Sequence, residues 1–222
     1  MTETSYLHAV RASYDAVAVD YARLLGAELA GKPLDRAMLA AFAECVRGEG
    51  RPGGTGGRAV ADLGCGPGRV TAHLDGLGVR AFGVDLSPAM VAVARRTYPG
   101  LRFEVGSMAA LDIADGVLGG VLAWYSTVHT PPGELLPLFA EFARVLAPGG
   151  HALIAFEAGD AQNRLEHAYG HPVDLDVHWT PPERIAELLA AAGLAETARL
   201  VREPDAHEKS PQGFILARKP GR

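Results

Sequence analysis

The chain has 222 residues, of which 48% are hydrophobic and 21% are charged, and its formal net charge is −5. This composition is typical of a folded globular protein and provides enough chain for one α/β domain. No basic tract and no bilayer-length apolar run occurs, which argues against nucleic-acid and membrane partners. The N-terminus does not resemble a signal peptide, and Cys45 and Cys65 suggest no disulfide framework, so we expect a cytoplasmic protein.

The first fifty residues read as two helices. Apolar side chains recur at three- and four-residue spacing from Tyr6 to Leu24, which predicts an amphipathic helix over 7–29. A second helix is predicted over 34–46, because Pro33 suits a first-turn position. The glycine-rich stretch that follows marks a flexible connector. We therefore expect an N-terminal helical cap over residues 1–50 and a main domain over residues 51–222.

Strands and helices alternate through the main domain. Regular alternation of this kind indicates an α/β fold with a doubly wound, mostly parallel sheet. The polar stretch 159–178 has no clear period and is predicted to be an irregular loop or lid. The predicted strands are 59–63, 79–84, 101–105, 117–125, 151–156, 194–202 and 213–218, and the predicted helices are 70–77, 87–97, 134–146 and 181–192.

The strongest motif is the glycine turn at residues 62–68, with the sequence DLGCGPG. A buried strand, a tight glycine turn and a helix start form the nucleotide pockets of α/β folds. Asp85 ends the next predicted strand, where a carboxylate can accept hydrogen bonds from ribose hydroxyls. The spacing is G-x-G-x-G, whereas dinucleotide sites favour G-x-G-x-x-G, and Asp62 would repel a diphosphate. These features favour a nucleoside ligand that carries positive charge.

Three motifs resemble those of the class I S-adenosylmethionine (SAM)-dependent methyltransferases that act on small molecules. Residues 62–68 look like their first motif, residues 83–90 (GVDLSPAM) like their ribose motif, and residues 146–150 (LAPGG) like their post-helix turn. Tyr14 and Tyr21 lie in a segment similar to their cap helix. The resemblance implies a Rossmann-like, seven-stranded sheet of order 3-2-1-4-5-7-6, with strand 7 antiparallel. It also implies SAM as cofactor, S-adenosyl-L-homocysteine as product and a small organic methyl acceptor.

The resemblance also implies roles for individual residues. The turn glycines would line the methionyl part of SAM, and Asp62 would lie near its ammonium group. Asp85 would bind the ribose hydroxyls, while Leu86 and Met90 would pack against the adenine. Ser107 and Met108 stand where the family usually has an acid. The implied cofactor-binding residues are Tyr14, Tyr21, Asp62, Leu63, Gly64, Cys65, Gly66, Gly68, Asp85, Leu86, Met90, Ser107, Met108, Trp124 and Tyr125.

The end of the fourth predicted strand carries two aromatic residues, hydroxyl groups and an imidazole. Trp124 and Tyr125 can shield a sulfonium from water, although core packing explains them equally well. His129 is the candidate catalytic base, because an imidazole titrates near neutral pH. A structural histidine beside a helix is the alternative. Side chains that could reach an acceptor at the same edge are Ser126, Glu157, His171, His178 and Trp179.

Two other functions remain open on the sequence. An NAD(P)-dependent oxidoreductase would share the sheet, the turn and Asp85, and a SAM-binding protein without methyl transfer would share the whole cofactor site. His167 and His171 are four positions apart, but no acid stands in register with them, so no metal site is predicted. The sequence leaves open whether oxygen, nitrogen or carbon is methylated, and whether the protein is a monomer or a homodimer.

Overall fold

The computed structural model describes residues 5–48 and 57–221. Six helices and nine strands are found in these ranges. The helices are α1 (Ser5–Leu25), α2 (Pro33–Arg47), α3 (Arg69–Gly76), α4 (Pro88–Thr97), α5 (Leu135–Val145) and α6 (Pro182–Ala191). The strands are β1 (Val60–Leu63), β2 (Ala81–Asp85), β3 (Phe103–Val105), β4 (Leu118–Trp124), β5 (Leu146–Glu157), β6 (Ala161–Ala168), β7 (His171–Trp179), β8 (Ala195–Arg202) and β9 (Gln212–Arg218).

Seven of the strands form one sheet in the order β3-β2-β1-β4-β5-β9-β8. Strands β1 to β5 run parallel to one another, whereas β9 is antiparallel to both β5 and β8. When the strands of this sheet alone are counted along the chain, the order is 3-2-1-4-5-7-6, so the predicted Rossmann-like topology is confirmed. The strand order reverses between β1 and β4, and such a switch point opens a crevice at the carboxyl ends of the strands.

Apolar side chains fill both faces of the sheet. On one face, Phe139 and Phe142 of α5 and Leu189 of α6 are fully buried against the central strands. On the other face, Phe42 of α2 and Leu74 of α3 are fully buried. Every residue of β4 is buried, as expected for a strand covered on both sides. Helix α2 therefore packs directly on the sheet, while the boundary predicted near residue 50 lies outside the described residues.

Helix α1 lies across the carboxyl end of the sheet and packs on α4. Val17 and Ala18 of α1 are buried against Met90 and Val93 of α4. The helix ends at Leu25, four residues before the predicted end, and a short 3₁₀ turn follows. No helix in the described ranges is long and apolar enough to cross a bilayer.

The prediction of an irregular loop over 159–178 was wrong, because this stretch forms a β-hairpin. Strands β6 and β7 pair antiparallel as a separate two-stranded sheet. Tyr169 and Gly170 form the tight turn, with φ angles of 54° and 85°. Leu175 and Val177 are buried, while their neighbours on β7 are more exposed. The sequence hides this hairpin because β6 is polar along most of its length. Only β7 shows the alternation of apolar and polar residues that is typical of a strand.

Strand β5 begins five residues earlier than the prediction. It includes the Pro148-Gly149-Gly150 segment, which was predicted to be a turn before the strand. Gly149 has a φ of 80°, and the pairing between β4 and β5 shifts register next to this segment. The glycines therefore produce an irregular start to the strand instead of a separate turn.

Candidate active site

The main pocket lies at the carboxyl ends of β1, β2 and β4, beneath α1. Its empty space, including open solvent at the mouth, is about 720 Å³. Thirteen of the residues predicted for the site line it, together with five others. The lining residues are Tyr6, Leu7, Val10, Tyr14, Tyr21, Gly64, Gly66, Asp85, Leu86, Met90, Gly106, Ser107, Met108, Trp124, Tyr125, Ser126, His129 and Thr130.

The first two turn glycines serve different purposes. Both have positive φ, 72° at Gly64 and 54° at Gly66. A Cβ on Gly64 would lie 2.3 Å from the Cβ of Ser126, so glycine is needed for the end of β4 to approach. A Cβ on Gly66 would meet nothing nearer than a ring carbon of Tyr21 at 3.9 Å. The backbone at Gly66 therefore stays open to a ligand.

Asp85 closes the other side of the turn. One carboxylate oxygen accepts the Gly66 N–H at 2.7 Å, and the other accepts the Ser87 N–H at 2.8 Å. Burial raises the pKa of Asp85, and these two backbone hydrogen bonds act against that shift. Each carboxylate oxygen can accept a further hydrogen bond. Because Asp85 lines the pocket, its carboxylate can receive two neighbouring hydroxyl groups of a ligand.

Asp62 is buried directly behind the turn and does not line the pocket. The hydroxyl of Thr71 donates to its Oδ2 at 2.6 Å, while its Oδ1 is buried without a hydrogen-bond partner. Burial raises the pKa of Asp62 to about 7, although the Thr71 hydrogen bond lowers it. A buried acceptor that lacks a donor is costly. The site would therefore be stabilised by a cation or a hydrogen-bond donor near Oδ1.

Tyr14 and His129 form a hydrogen-bonded pair at one side of the pocket. Nδ1 of His129 lies 2.8 Å from the backbone carbonyl oxygen of Asp176 in β7. A carbonyl oxygen only accepts, so Nδ1 carries the ring proton and Nε2 is an acceptor. The Tyr14 hydroxyl therefore donates to Nε2, across 2.8 Å. Burial lowers the pKa of His129 and raises that of Tyr14 well above its ordinary value, so both groups are neutral near pH 7.

Helix α1 is fixed above the pocket by an acid that follows Tyr14. The carboxylate of Asp15 accepts the Ser87 hydroxyl at 2.6 Å and the Ala89 N–H at 3.1 Å. The oxygen of Ser87 in turn caps α4 by accepting the Met90 N–H at 3.0 Å. This connection fixes the register of α1, which keeps Tyr14 over the pocket.

Besides Asp62, three residues predicted from the turn do not line the pocket. Leu63 and Cys65 are buried in the core below the turn. A Cβ on Gly68 would lie 2.6 Å from the ring of Phe103, so Gly68 allows helix α3 to pack closely on the sheet. Gly68 is therefore needed for packing, whereas Gly64 and Gly66 line the pocket.

The acceptor residues predicted on the hairpin and β5 also lie away from the pocket. Burial raises the pKa of Glu157 and the neighbouring Trp179 lowers it, while His171 lies 2.9 Å from the carboxylate of Asp20. His178 lines a neighbouring cavity, which shares Tyr6, Val10 and His129 with the pocket. No group of three or more possible metal ligands is found within residues 5–48 and 57–221.

Sequence reasoning missed five lining residues. Tyr6 and Val10 belong to the apolar stripe that predicted α1, so the stripe contained a usable signal for them. The sequence contains no such signal for Leu7, Gly106 and Thr130. They are close to predicted site residues in the chain, but they lack the chemical groups that identified those residues.

Residues 60–150 match the family model of the methyltransferase domain. This segment contains β1 to β4, the glycine turn, Asp85 and His129. The likeness to this family therefore rests on residues 60–150. The fold of the whole described chain is that of the class I SAM-dependent methyltransferases, which agrees with the resemblance of the three sequence motifs.

Named relatives align with part of this chain. The trans-aconitate 2-methyltransferase of Methylobacterium nodulans is 40% identical over 143 residues, which cover 62% of this chain and 50% of that protein. The demethylmenaquinone methyltransferase of Chlorobaculum parvum is 34% identical over 96 residues, which cover 43% of this chain and 39% of that protein. The chain thus spans half or less of the length of these two relatives.

A solved methyltransferase structure matches over nearly the whole chain. The geranyl diphosphate C-methyltransferase of Streptomyces coelicolor, crystallised with Mg²⁺, geranyl-S-thiolodiphosphate and S-adenosyl-L-homocysteine, has a TM-score of 0.70 and covers 99% of both chains. Its sequence identity with this chain is 16%, so the likeness establishes the shared fold alone.

Proposed function

We propose that this chain binds SAM in the main pocket and transfers its methyl group to a small organic acceptor. One observation carries the proposal: a single pocket holds the open glycine turn, the Asp85 carboxylate and the Tyr14–His129 pair. The first two features suit a nucleoside, and the third suits removal of a proton from an acceptor. The matched family and the names of the relatives support the same reaction.

The pocket residues and the buried Asp62 behind the turn suit the two ends of SAM. Asp85 accepts the ribose hydroxyls, and Leu86 and Met90 offer apolar surface to the adenine. The partnerless Oδ1 of Asp62 provides negative charge beside the turn, where the ammonium group of the methionyl part would lie. A dinucleotide would instead bring a diphosphate towards this buried carboxylate, which disfavours the oxidoreductase alternative.

SAM supplies a methyl group that its sulfonium already activates for nucleophilic displacement. The chain then has to hold the acceptor in line with that group and exclude water. Helix α1 covers the pocket from above, and Trp124 closes it from the end of β4 with 7% of its surface exposed. Aromatic rings at this position also stabilise positive charge on a ligand.

The Tyr14–His129 pair removes the proton of an acceptor hydroxyl or ammonium group. The Tyr14 oxygen accepts this proton as its own proton passes to Nε2 of His129. The resulting imidazolium keeps its Nδ1–H hydrogen bond to the Asp176 carbonyl oxygen. His129 thus acts as the base through Tyr14, and a carbon nucleophile that is already activated would not need the pair.

The charge of the pocket constrains the acceptor. Among the described residues that line it, Asp85 is the one acid, and neither lysine nor arginine is present. Trans-aconitate, named for one relative, is a tricarboxylate that this lining would not neutralise. We therefore propose an acceptor, such as a phenol or an amine, that brings no carboxylate or phosphate into the pocket.

The test is formation of S-adenosyl-L-homocysteine from SAM with a panel of phenols, amines and carboxylic acids. The proposal predicts product with members of the first two groups and loss of that activity in Asp85→Ala. Binding of SAM without turnover of any acceptor would instead support the alternative of a SAM-binding protein that transfers no methyl group. A thermal shift with NAD and none with SAM would favour the oxidoreductase.

A further inference from the structure

The neighbouring cavity adjoins the main pocket between the first turns of α1, the segment after β4 and the β6–β7 hairpin. Its empty space, including open solvent, is about 610 Å³. Tyr6, Val10 and His129 line both spaces, so their side chains form the wall between them. Asp85 and the turn glycines line the main pocket and not the cavity. The wall therefore belongs to the side of the pocket that holds the Tyr14–His129 pair.

Tyr6 is the wall residue whose side chain sets the extent of the pocket. His129 is held in place by Tyr14 and by the Asp176 carbonyl oxygen, each 2.8 Å from one of its ring nitrogens. Val10 has a short side chain that is stiff at its first torsion. Tyr6 contributes a whole ring, and burial raises the pKa of its phenol, as expected for a group that lies within the wall. Replacing Tyr6 is therefore the change that opens the wall without touching the catalytic pair.

The position of Tyr6 along α1 gives it a direct effect on acceptor length. Tyr6, Val10 and Tyr14 follow one another along the pocket side of the helix at intervals of four residues. At a rise of about 1.5 Å per residue, Tyr6 lies about 12 Å from Tyr14 along the helix axis. An acceptor whose reacting atom lies at the Tyr14 oxygen, and whose far end points along α1 towards its N-terminus, therefore meets the ring of Tyr6.

The cavity behind Tyr6 has a charged wall that resists collapse. Arg164 of β6 is paired with Asp174 of β7 and lies 3.3 Å from Asp176, and all three residues line the cavity. Their side chains are also partly exposed to water. Moving them inwards to fill space left by a smaller side chain would cost part of their hydration. We therefore expect a smaller residue at position 6 to join the two spaces.

We propose that Tyr6 determines the length of the methyl acceptor, because its ring closes the main pocket against the neighbouring cavity. This inference rests on the proposed methyl transfer and narrows its acceptor class. The acceptor is a compact phenol or amine, and the ring of Tyr6 excludes one with a long substituent opposite the methylated atom. One methylene that fits or does not fit an apolar pocket changes selectivity by about 10–200-fold, so a single ring is enough to set this limit.

The test is the dependence of kcat/KM on the length of a para-alkylphenol, from phenol through the ethyl and butyl compounds to the hexyl compound. In wild type, kcat/KM relative to phenol is expected to fall sharply once the alkyl chain reaches Tyr6. Tyr6→Ala should raise the relative value for the hexyl compound about tenfold or more. Tyr6→Phe keeps the ring and should keep the wild-type length dependence. Leu24→Ala is the matched control, because it removes a large, exposed side chain from the other end of α1.

Calorimetric titration of the same phenols, with and without S-adenosyl-L-homocysteine, measures the length dependence in binding even if phenols are not turned over. Tyr6→Leu replaces Tyr6→Ala if the alanine variant does not fold. The proposal is overturned if wild type and the smaller variant show the same length dependence of binding, or if neither binds any of the phenols. It is also overturned if Leu24→Ala shifts the dependence as far. Failure of the proposed methyl transfer is distinguishable, because it appears as absence of S-adenosyl-L-homocysteine formation with every acceptor.

Discussion

The hydroxyl of Tyr14 lies 2.8 Å from Nε2 of His129, although 115 residues separate them in the chain. The pair joins α1 to the end of β4, and the Asp176 carbonyl oxygen in the hairpin fixes the histidine tautomer. Three separate elements therefore meet at one hydrogen-bonded pair. The phenol oxygen, and not the imidazole, is the atom of this pair that remains available to an acceptor.

The first prediction concerns that pair. Tyr14→Phe and His129→Ala should each lower kcat by roughly 10²–10⁴-fold with an acceptor that must lose a proton. Because the two groups act as one unit, the double variant should be about as slow as the slower single variant. The measurement is steady-state kinetics of methyl transfer, with SAM affinity measured in parallel. Losses that multiply in the double variant would show that the two residues act independently.

The second prediction is the pH dependence of the same reaction. His129 must be neutral to accept a proton, and burial lowers its pKa from the ordinary value of 6.5. The rate should therefore stay constant as the pH falls towards 6.5 and decrease only below it. A profile of kcat/KM for the acceptor against pH, measured at saturating SAM so that SAM affinity does not enter, checks this. A decrease that begins well above pH 6.5 would mean that another group limits the acid side.

The third prediction concerns Asp62, whose pKa burial raises to about 7. Its carboxylate is ionised above that pH and protonated below it, and only the ionised form attracts an ammonium group. SAM affinity should therefore fall as the pH is lowered below about 7, approaching a tenfold loss per pH unit.

The side chain at this position cannot ionise in the Asp62→Asn variant, so this variant provides the control. Its SAM affinity should be weaker than that of wild type near pH 8 and nearly independent of pH below about 7. Calorimetric titrations over a pH series make the comparison. Equal pH dependence in both proteins would remove Asp62 from ligand recognition.

The fourth prediction concerns the close approach at Gly64. A Cβ there would lie 2.3 Å from the Ser126 Cβ on a backbone with a φ of 72°. Gly64→Ala should lower the free energy of unfolding by about 1–3 kcal/mol through overpacking and by a further ~1–2 kcal/mol through backbone strain. Gly76→Ala is the matched control, because nothing lies within 4 Å of its added Cβ. Denaturant unfolding measures both, and equal stability of the two variants would contradict this geometry.

The sheet and the cofactor side of the pocket could be predicted, because their signals are local. The glycine turn and Asp85 each end an apolar strand, and the topology of an α/β sheet brings such ends together. The Tyr14–His129 contact could not be predicted, since it depends on how α1 crosses the sheet. Glu157 and Trp179 were placed in the site by their chemistry alone, but neither lines the pocket.

The hairpin shows a second limit. Its strands carry too few apolar residues to display a clear period, and its turn uses Tyr169 at positive φ, which is uncommon for a residue with a Cβ. The polar composition therefore predicted a loop, although the backbone pairs along most of the segment.

Calorimetric titration of SAM into wild type, Asp85→Ala and Asp75→Ala tests the central claim most directly. Asp85 lines the pocket, whereas Asp75 is an exposed acid on α3. Saturable SAM binding by wild type and Asp75→Ala, with a large loss of affinity in a folded Asp85→Ala, is the predicted result. The account would be contradicted by absence of SAM binding in wild type, or by unchanged affinity in Asp85→Ala.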